Sequence, residues 1–390
     1  MNNIFLHEPF FFSDEIKNLS KCINTGWVST GGKFVKEFEN HLTSYTNSKY
    51  AVALNSGTSA LDLALKSVLV EKKNEIIVPT ITFIAPVNTI LYNDCSPVFM
   101  DVDRYGNLDA LKLKNFLNKE TYSKNNFTYN KKTQKKISAI IVVHVFGNIS
   151  NIVDIVKICK KKNIRVIEDA SESLGSFLKK GDNFKHSGTF GDIGCISFNA
   201  NKIITTGSGG AIVTDKKKIF QKIQYLSTQA KDDAINFVHN DIGYNMKLNN
   251  LSAAIGVSQI KVLNKILHRK QKIHNYYKKH IDKIENFEVI SPSKNVKSNN
   301  WINLLRLKNI KTPKYKDIII KFFFKENVQV RPIWYPNHLQ KKMIKYQRFK
   351  LKNFKTFFDS VICLPSGFDI KKKEQDKVID ILQKFKKKNF

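Results

Sequence analysis

Three short stretches of this 390-residue sequence bring together groups that can do chemistry. In Ser197-Phe198-Asn199-Ala200-Asn201-Lys202 a serine and a lysine stand five residues apart, ahead of the flexible turn Thr205-Thr206-Gly207-Ser208-Gly209-Gly210. Lysine is abundant here, yet the neighbours of Lys202 are small, polar and glycine-rich rather than further lysines. A lysine held in a desolvated pocket has a lowered pKa and can form a Schiff base with a carbonyl. Glu168-Asp169-Ala170 closes the apolar run IRVIE, and strand C-terminal ends are where open α/β sheets place their ligands. A carboxylate there can hold a cation such as a protonated pyridine nitrogen, or it can be a helix cap or a buried structural group. Asn55-Ser56-Gly57-Thr58-Ser59-Ala60 joins a strand to a helix start, where free amides and hydroxyls suit a phosphate. The same turn also reads as an ordinary N-cap. In this order the three supply what a pyridoxal phosphate site needs: donors for the phosphate, a carboxylate for the ring nitrogen and a lysine for the aldehyde.

The elements that must position these groups follow a strand–helix rhythm. Residues 49–54, 75–79, 98–102, 137–144 and 164–168 read as strands, the fourth a continuous apolar run suited to burial on both faces of a parallel sheet. Helices are expected from Ser56 to about Val68 and over Ile152–Lys162, where Ile152, Ile155, Val156 and Cys159 share one face. The Lys/Asn-rich stretch 118–136 reads as an exposed insertion or hairpin. A helical pattern from Leu248 to about Ile284 is long enough to link two domains. Beyond it, residues 287–290 and 301–307, a helix over 312–325, and residues 328–332 suggest a smaller unit. The expected fold is an α/β domain with a mostly parallel sheet over residues 1–248, then a linking helix and a C-terminal α+β domain over 249–390.

The formal net charge is +32, from 65 Lys+Arg against 33 Asp+Glu. Such a charge raises nucleic acid as a partner. Only six of those cations are arginine, the residue that makes bidentate contacts to phosphate and guanine, so the charge reads as a lysine-rich surface and no nucleic acid is expected. No apolar run reaches the length of a membrane span, and from the opening residues no secretory signal is expected. The five scattered cysteines include no CxxC pair, which argues against a metal or disulfide framework and fits a reduced cytoplasm.

The chain resembles the DegT/StrS-type nucleotide-sugar aminotransferases, which have the aspartate-aminotransferase fold (fold type I). The resemblance runs from Pro9 to about Gly367. It is carried by GWVSTG (26–31), NSGTSAL (55–61), PTITFIAPVN (79–88), VHVFG (143–147), EDASESLGS (168–176), GTFGDIGCISFNANKIITTGSGGAIVT (188–214), GYNMKLNNLSAAIG (243–256), VRP (330–332) and LPS (364–366). The stretch SFNANKIITTGSGG is similar to the branch that makes 4-amino-6-deoxy N-acetyl sugars on the way to legionaminic-type acids.

The resemblance implies that Lys202 carries pyridoxal 5′-phosphate as a Schiff base and that Asp169 pairs with its ring nitrogen. It implies that Gly57, Thr58, Ser59 and Ser197 bind the phosphate and that Phe83 stacks on the ring. Asn245 would reach the cofactor of a partner subunit, so a homodimer with shared active sites is expected. Arg331 and His338 would lie near the mouth, and Trp27, Lys33, Phe237 and Trp334 near the sugar. The chain departs from the common pattern at Glu172, where Gln or His is frequent, at Ser208 in place of Glu, and at Lys247 in place of Arg.

The implied reaction moves an amino group from L-glutamate to a 4-keto-6-deoxy (N-acetyl)hexosamine on a nucleotide. A 3-keto-sugar aminotransferase or a perosamine-type synthase is the alternative within the family, and a cofactor-bound regulatory or binding protein the alternative outside it. Related sugar dehydratases replace the lysine with histidine, which Lys202 disfavours.

Overall fold

A computed structural model describes residues 3–68, 71–309 and 314–389. Its centre is an eight-stranded mixed sheet. From one edge to the other, the strands are Tyr50–Leu54, Gly210–Thr214, Ile193–Ser197, Arg165–Asp169, Ile137–Val143, Glu75–Pro79, Ser96–Met100 and Arg348–Phe349. Only Gly210–Thr214 runs against its neighbours. All residues of Glu75–Pro79 and Ile137–Val143 are buried, as their mostly apolar character requires. The mostly parallel α/β expectation therefore holds, and the C-terminal end of each parallel strand opens on one edge.

Two element boundaries differ from the sequence reading for identifiable reasons. The third strand is Ser96–Met100 and not 98–102. The Asp101 carboxylate accepts the amide of Val102 (2.9 Å) and those of Lys352, Asn353 and Phe354 (2.7, 2.7 and 2.8 Å), which takes the chain out of the ladder. The long helix is two helices, Asn250–Lys261 and Leu263–Ile281. Val262 sits at φ −102°, ψ 4°, and its amide bonds back three residues to Gln259, tightening the turn at the break. The 118–136 stretch contains a hairpin, Thr121–Lys124 with Phe127–Asn130.

The C-terminal region forms a four-stranded antiparallel sheet in the order Phe287–Val289, Asn303–Leu307, Val361–Leu364, Arg331–Pro332. Lys314–Lys325 and Lys372–Asn389 are its helices, the start of the former expectation at 312 lying outside the described residues. The two sheets exchange segments. Ile4 pairs with Val328 at the C-terminal layer, while Arg348–Phe349 extends the large sheet beside Ser96–Met100. One apolar core joins them, running from Val52 and Ile76 through Phe146 to Trp301 and Cys363. No described helix is long and apolar enough to cross a membrane.

Candidate active site

The edge formed by the strand ends carries a cavity of about 280 Å³ lined by Gly57, Thr58, Phe83, Asp169, Glu172, Ser197 and Lys202, among others. They arrive from four separate pieces of sequence, around residues 57, 83, 169 and 197. Ser56 caps the helix Gly57–Ser67: its Oγ accepts the amide of Ser59 at 3.0 Å. The cap leaves the amides of Gly57 and Thr58 at the positive helix end, beside Ser197. A Cβ on Gly57 would stand 2.8 Å from the Ser197 Cβ and 3.4 Å from the Ser171 Oγ, so glycine keeps this cradle open. Gly57→Ala is expected to overpack it by about 1–3 kcal/mol and weaken cofactor binding roughly tenfold to a hundredfold. Absorbance titration measures this, and unchanged affinity would place the phosphate elsewhere.

The adjacent carboxylates Glu168 and Asp169 have opposite fates. Glu168 is fully buried and saturated, accepting from His144 Nε2 (2.9 Å) and from the amides of Gly188, Phe190 and Gly191 (2.9, 2.6 and 2.6 Å). Asp169 is buried too, but its carboxylate accepts only from Ser171, and no basic group among the described residues lies within ion-pair distance of it. Burial pushes its pKa up, opposed by the Ser171 hydrogen bonds and the charge of Lys202. Glu172 is likewise raised by burial, against the attraction of Lys202 and the amide of Phe146, 2.6 Å away. Two buried carboxylates thus face one lysine, whose Nζ lies 3.9 Å from Glu172 Oε1. A ligand that brings a protonated nitrogen to Asp169 and an anion to the Gly57 cradle balances both ends. Pyridoxal phosphate fits this donor set.

The remaining candidates are spread more widely. Ser59 turns away from the cavity, its hydroxyl bonded to Asn55 Oδ1 at 2.6 Å and to Ser56 Oγ at 2.9 Å. Asn245 is exposed, its carbonyl accepting from Asn55 at 3.2 Å. Trp27, Lys33, Phe237 and Arg331 are exposed outside the cavity lining, whereas Trp334 lines it and packs edge-on against Phe83 at 5.4 Å. His338 is not at a mouth: it is buried against Thr80 and Phe354, with its pKa lowered to about 4 by burial. Among the departures, Ser208 lines the cavity and donates to the Asn55 carbonyl at 3.0 Å. Lys247 is committed to Glu39 at 2.5 Å.

Trp301 and Asn299 went unnoticed as site residues. They precede the strand Asn303–Leu307 of the C-terminal sheet and stand about a hundred residues from Lys202, so no local motif marks them.

With this geometry in view, the family model that matches residues 12–383 is that of the DegT/DnrJ/EryC1/StrS aminotransferase family. The chain belongs to this family. It is 32% identical to the putative pyridoxal phosphate-dependent aminotransferase EpsN of Bacillus subtilis (strain 168), over 97% of this chain and 95% of that one. It is 32% identical to the GDP-perosamine synthase of Escherichia coli O157:H7, over 87% and 86%. It is 30% identical to a UDP-4-amino-4,6-dideoxy-N-acetyl-β-L-altrosamine transaminase of Campylobacter jejuni (serotype O:2, strain NCTC 11168), over 98% of both. Among solved structures it is similar to Helicobacter pylori PseC, an aminotransferase involved in the biosynthesis of pseudoaminic acid. That match has a TM-score of 0.89 at 24% identity and covers 99% of this chain and 100% of that one. The fold is therefore that of the fold-type-I sugar aminotransferases. The protein is a transaminase of this nucleotide-sugar family, and its cofactor is pyridoxal phosphate.

Proposed function

We propose that this aminotransferase moves the amino group of L-glutamate onto a nucleotide-linked 4-keto-6-deoxy hexosamine, with an N-acetylated sugar the first choice, for a surface glycan or a legionaminic-type nonulosonic acid. The observation that carries the reading is that one cavity gathers Lys202 facing Glu172, the Asp169 carboxylate and the Gly57–Ser197 cradle. The full-length likeness to a 4-amino-4,6-dideoxy sugar transaminase supports the choice of acceptor. The likeness to a GDP-perosamine synthase supports the second reading, a perosamine-type acceptor without the N-acetyl group.

Bound pyridoxal phosphate supplies an aldehyde that condenses with amines and a ring that accepts the electron pair released at the donor Cα. Gly57, Thr58 and Ser197 hold its phosphate. Asp169 keeps a proton on the ring nitrogen, which makes the ring a stronger electron sink. Lys202 Nζ would take the proton from the donor Cα and return it to the cofactor carbon on the far side of the transferred nitrogen. Phe83, half exposed at the rim, covers the ring and excludes water.

We further infer a homodimer acting in the cytoplasm. The exposed Ile235, Phe237, Val238 and Ile242, in the segment that leads to Asn245, support a second copy that closes each site.

A panel of UDP-, GDP- and dTDP-linked 4-keto and 3-keto sugars, assayed with L-glutamate, tests the substrate. The expected result is 2-oxoglutarate release with a 4-keto-6-deoxy acceptor and a 4-amino product by NMR. Conversion of 3-keto acceptors alone would overturn the reading.

A further inference from the structure

We propose that the segment Asn299–Trp301 is a clamp that sets Lys202 against Glu172, with the face of Trp301 as the resting place of the lysine's cationic end whenever its amine is free. Transamination frees that amine in every cycle. A desolvated ammonium then needs a partner that holds it nearby without binding it tightly.

Three contacts form the clamp. The Trp301 indole N–H donates to the carbonyl of Asn201, the residue before Lys202, at 2.6 Å. The Asn299 carboxamide donates to the carbonyls of Glu172 and Leu174, each at 2.9 Å. Its Oδ1 accepts the amide of Trp301 at 2.9 Å, so the two residues act as one piece. One short segment thus grips the turn of the lysine and the turn of the carboxylate together. The bond from Trp301 to Asn299 also explains why the C-terminal strand starts at Asn303 and not at 301.

Trp301 is fully buried. Phe146 stacks on it at 6.3 Å with rings 18° apart, His7 packs at its edge, and Lys270 Nζ donates to its carbonyl at 3.1 Å. The Lys202 Nζ lies 4.3 Å from the Trp301 ring centroid, within the range of a cation–π contact. The titratable groups around the amine are Glu172, Asp169 and His7. At 3.9 Å Glu172 attracts the ammonium without a short hydrogen bond. The ring face adds an attraction that is not directional along one bond. Together they hold the amine in reach of the substrate and let it go. Asn299 and Trp301 are positioning residues.

The proposal rests on Lys202 being the lysine that carries the cofactor. Trace acetylation of the holoenzyme, with each lysine followed by peptide mass spectrometry, separates the two claims. In the aldehyde form Lys202 is expected to be protected. In the amino form, generated with L-glutamate, it is expected to label slowly. Equal labelling in both wild-type forms would refute the role of Lys202 itself.

Given that difference, Trp301→Leu is expected to raise the labelling rate of Lys202 in the amino form roughly fivefold to tenfold, the loss of one buried cation–π contact. It is also expected to lower kcat for the glutamate half-reaction with KM within twofold. Trp301→Phe keeps a ring face and loses the N–H, and is expected to label within about threefold of wild type. Unchanged labelling in Trp301→Leu would overturn the proposal. If Trp301→Leu fails to fold, Trp301→Phe decides: slow labelling supports the ring face, and labelling as fast as surface lysines overturns it.

Discussion

Lys202→Ala is expected to remove the visible absorbance band of the lysine-bound cofactor and to lower turnover by about 10⁴-fold or more, combining loss of the nucleophile with loss of the proton carrier. The size follows from the geometry. Lys202 is the basic side chain among those lining the cavity, and its amine is only slightly exposed, with Glu172 as its one ion-pair partner among the described residues. Among the described residues no other lysine lines this cavity. Added small amines such as ethylamine should restore part of the rate by entering the vacated space, while a merely misfolded variant would not respond. Full turnover with the band intact in Lys202→Ala would remove the basis of the mechanism.

The second large effect belongs to Asp169. Asp169→Asn keeps the shape and the Ser171 contact but removes the charge, and kcat/KM is expected to fall by about 10²–10³. The same substitution has an opposite effect on the cofactor-free protein. Burial raises the Asp169 pKa above its unfolded value, so the folded state binds a proton more readily than the unfolded one. Stability conferred by that proton is present below the unfolded pKa and is lost as pH rises through the folded one. At neutral pH the ionised carboxylate therefore costs stability until a protonated ring nitrogen pairs with it. Cofactor-free Asp169→Asn should melt at a higher temperature than cofactor-free wild type at pH 7, and the order should narrow or reverse with cofactor bound. A lower melting temperature in both forms would make Asp169 a structural carboxylate like Glu168.

How much of this was visible in the sequence depended on the range of the interaction. The strand Glu75–Pro79 and the helix Ile152–Lys161 could be read because local apolar spacing decides them. Lys202, Ser197 and Gly57 could be picked out because their small, polar neighbours differ from the lysine-rich surface, and the fold brings all three into one cavity. By residue type and position alone Glu168 and Asp169 are indistinguishable, and it was the family resemblance that pointed to Asp169. The physical reason lies in the fold: the amides of Gly188, Phe190 and Gly191 turn back onto Glu168 and leave Asp169 as the one open to a ligand. His338 was misplaced because its partner Thr80 is 258 residues away. The break at Val262 was hidden for a different reason: the apolar pattern runs through it, and only a backbone turn interrupts the helix.

The +32 charge belongs to the same lesson, since 59 lysines make any one of them a poor guide to function. The most direct measurement is therefore borohydride reduction of the holoenzyme followed by peptide mass spectrometry. The account predicts one cofactor adduct per chain, on Lys202, and none after prior conversion to the amino form with L-glutamate. An adduct on any other lysine, or one that L-glutamate does not abolish, would contradict it.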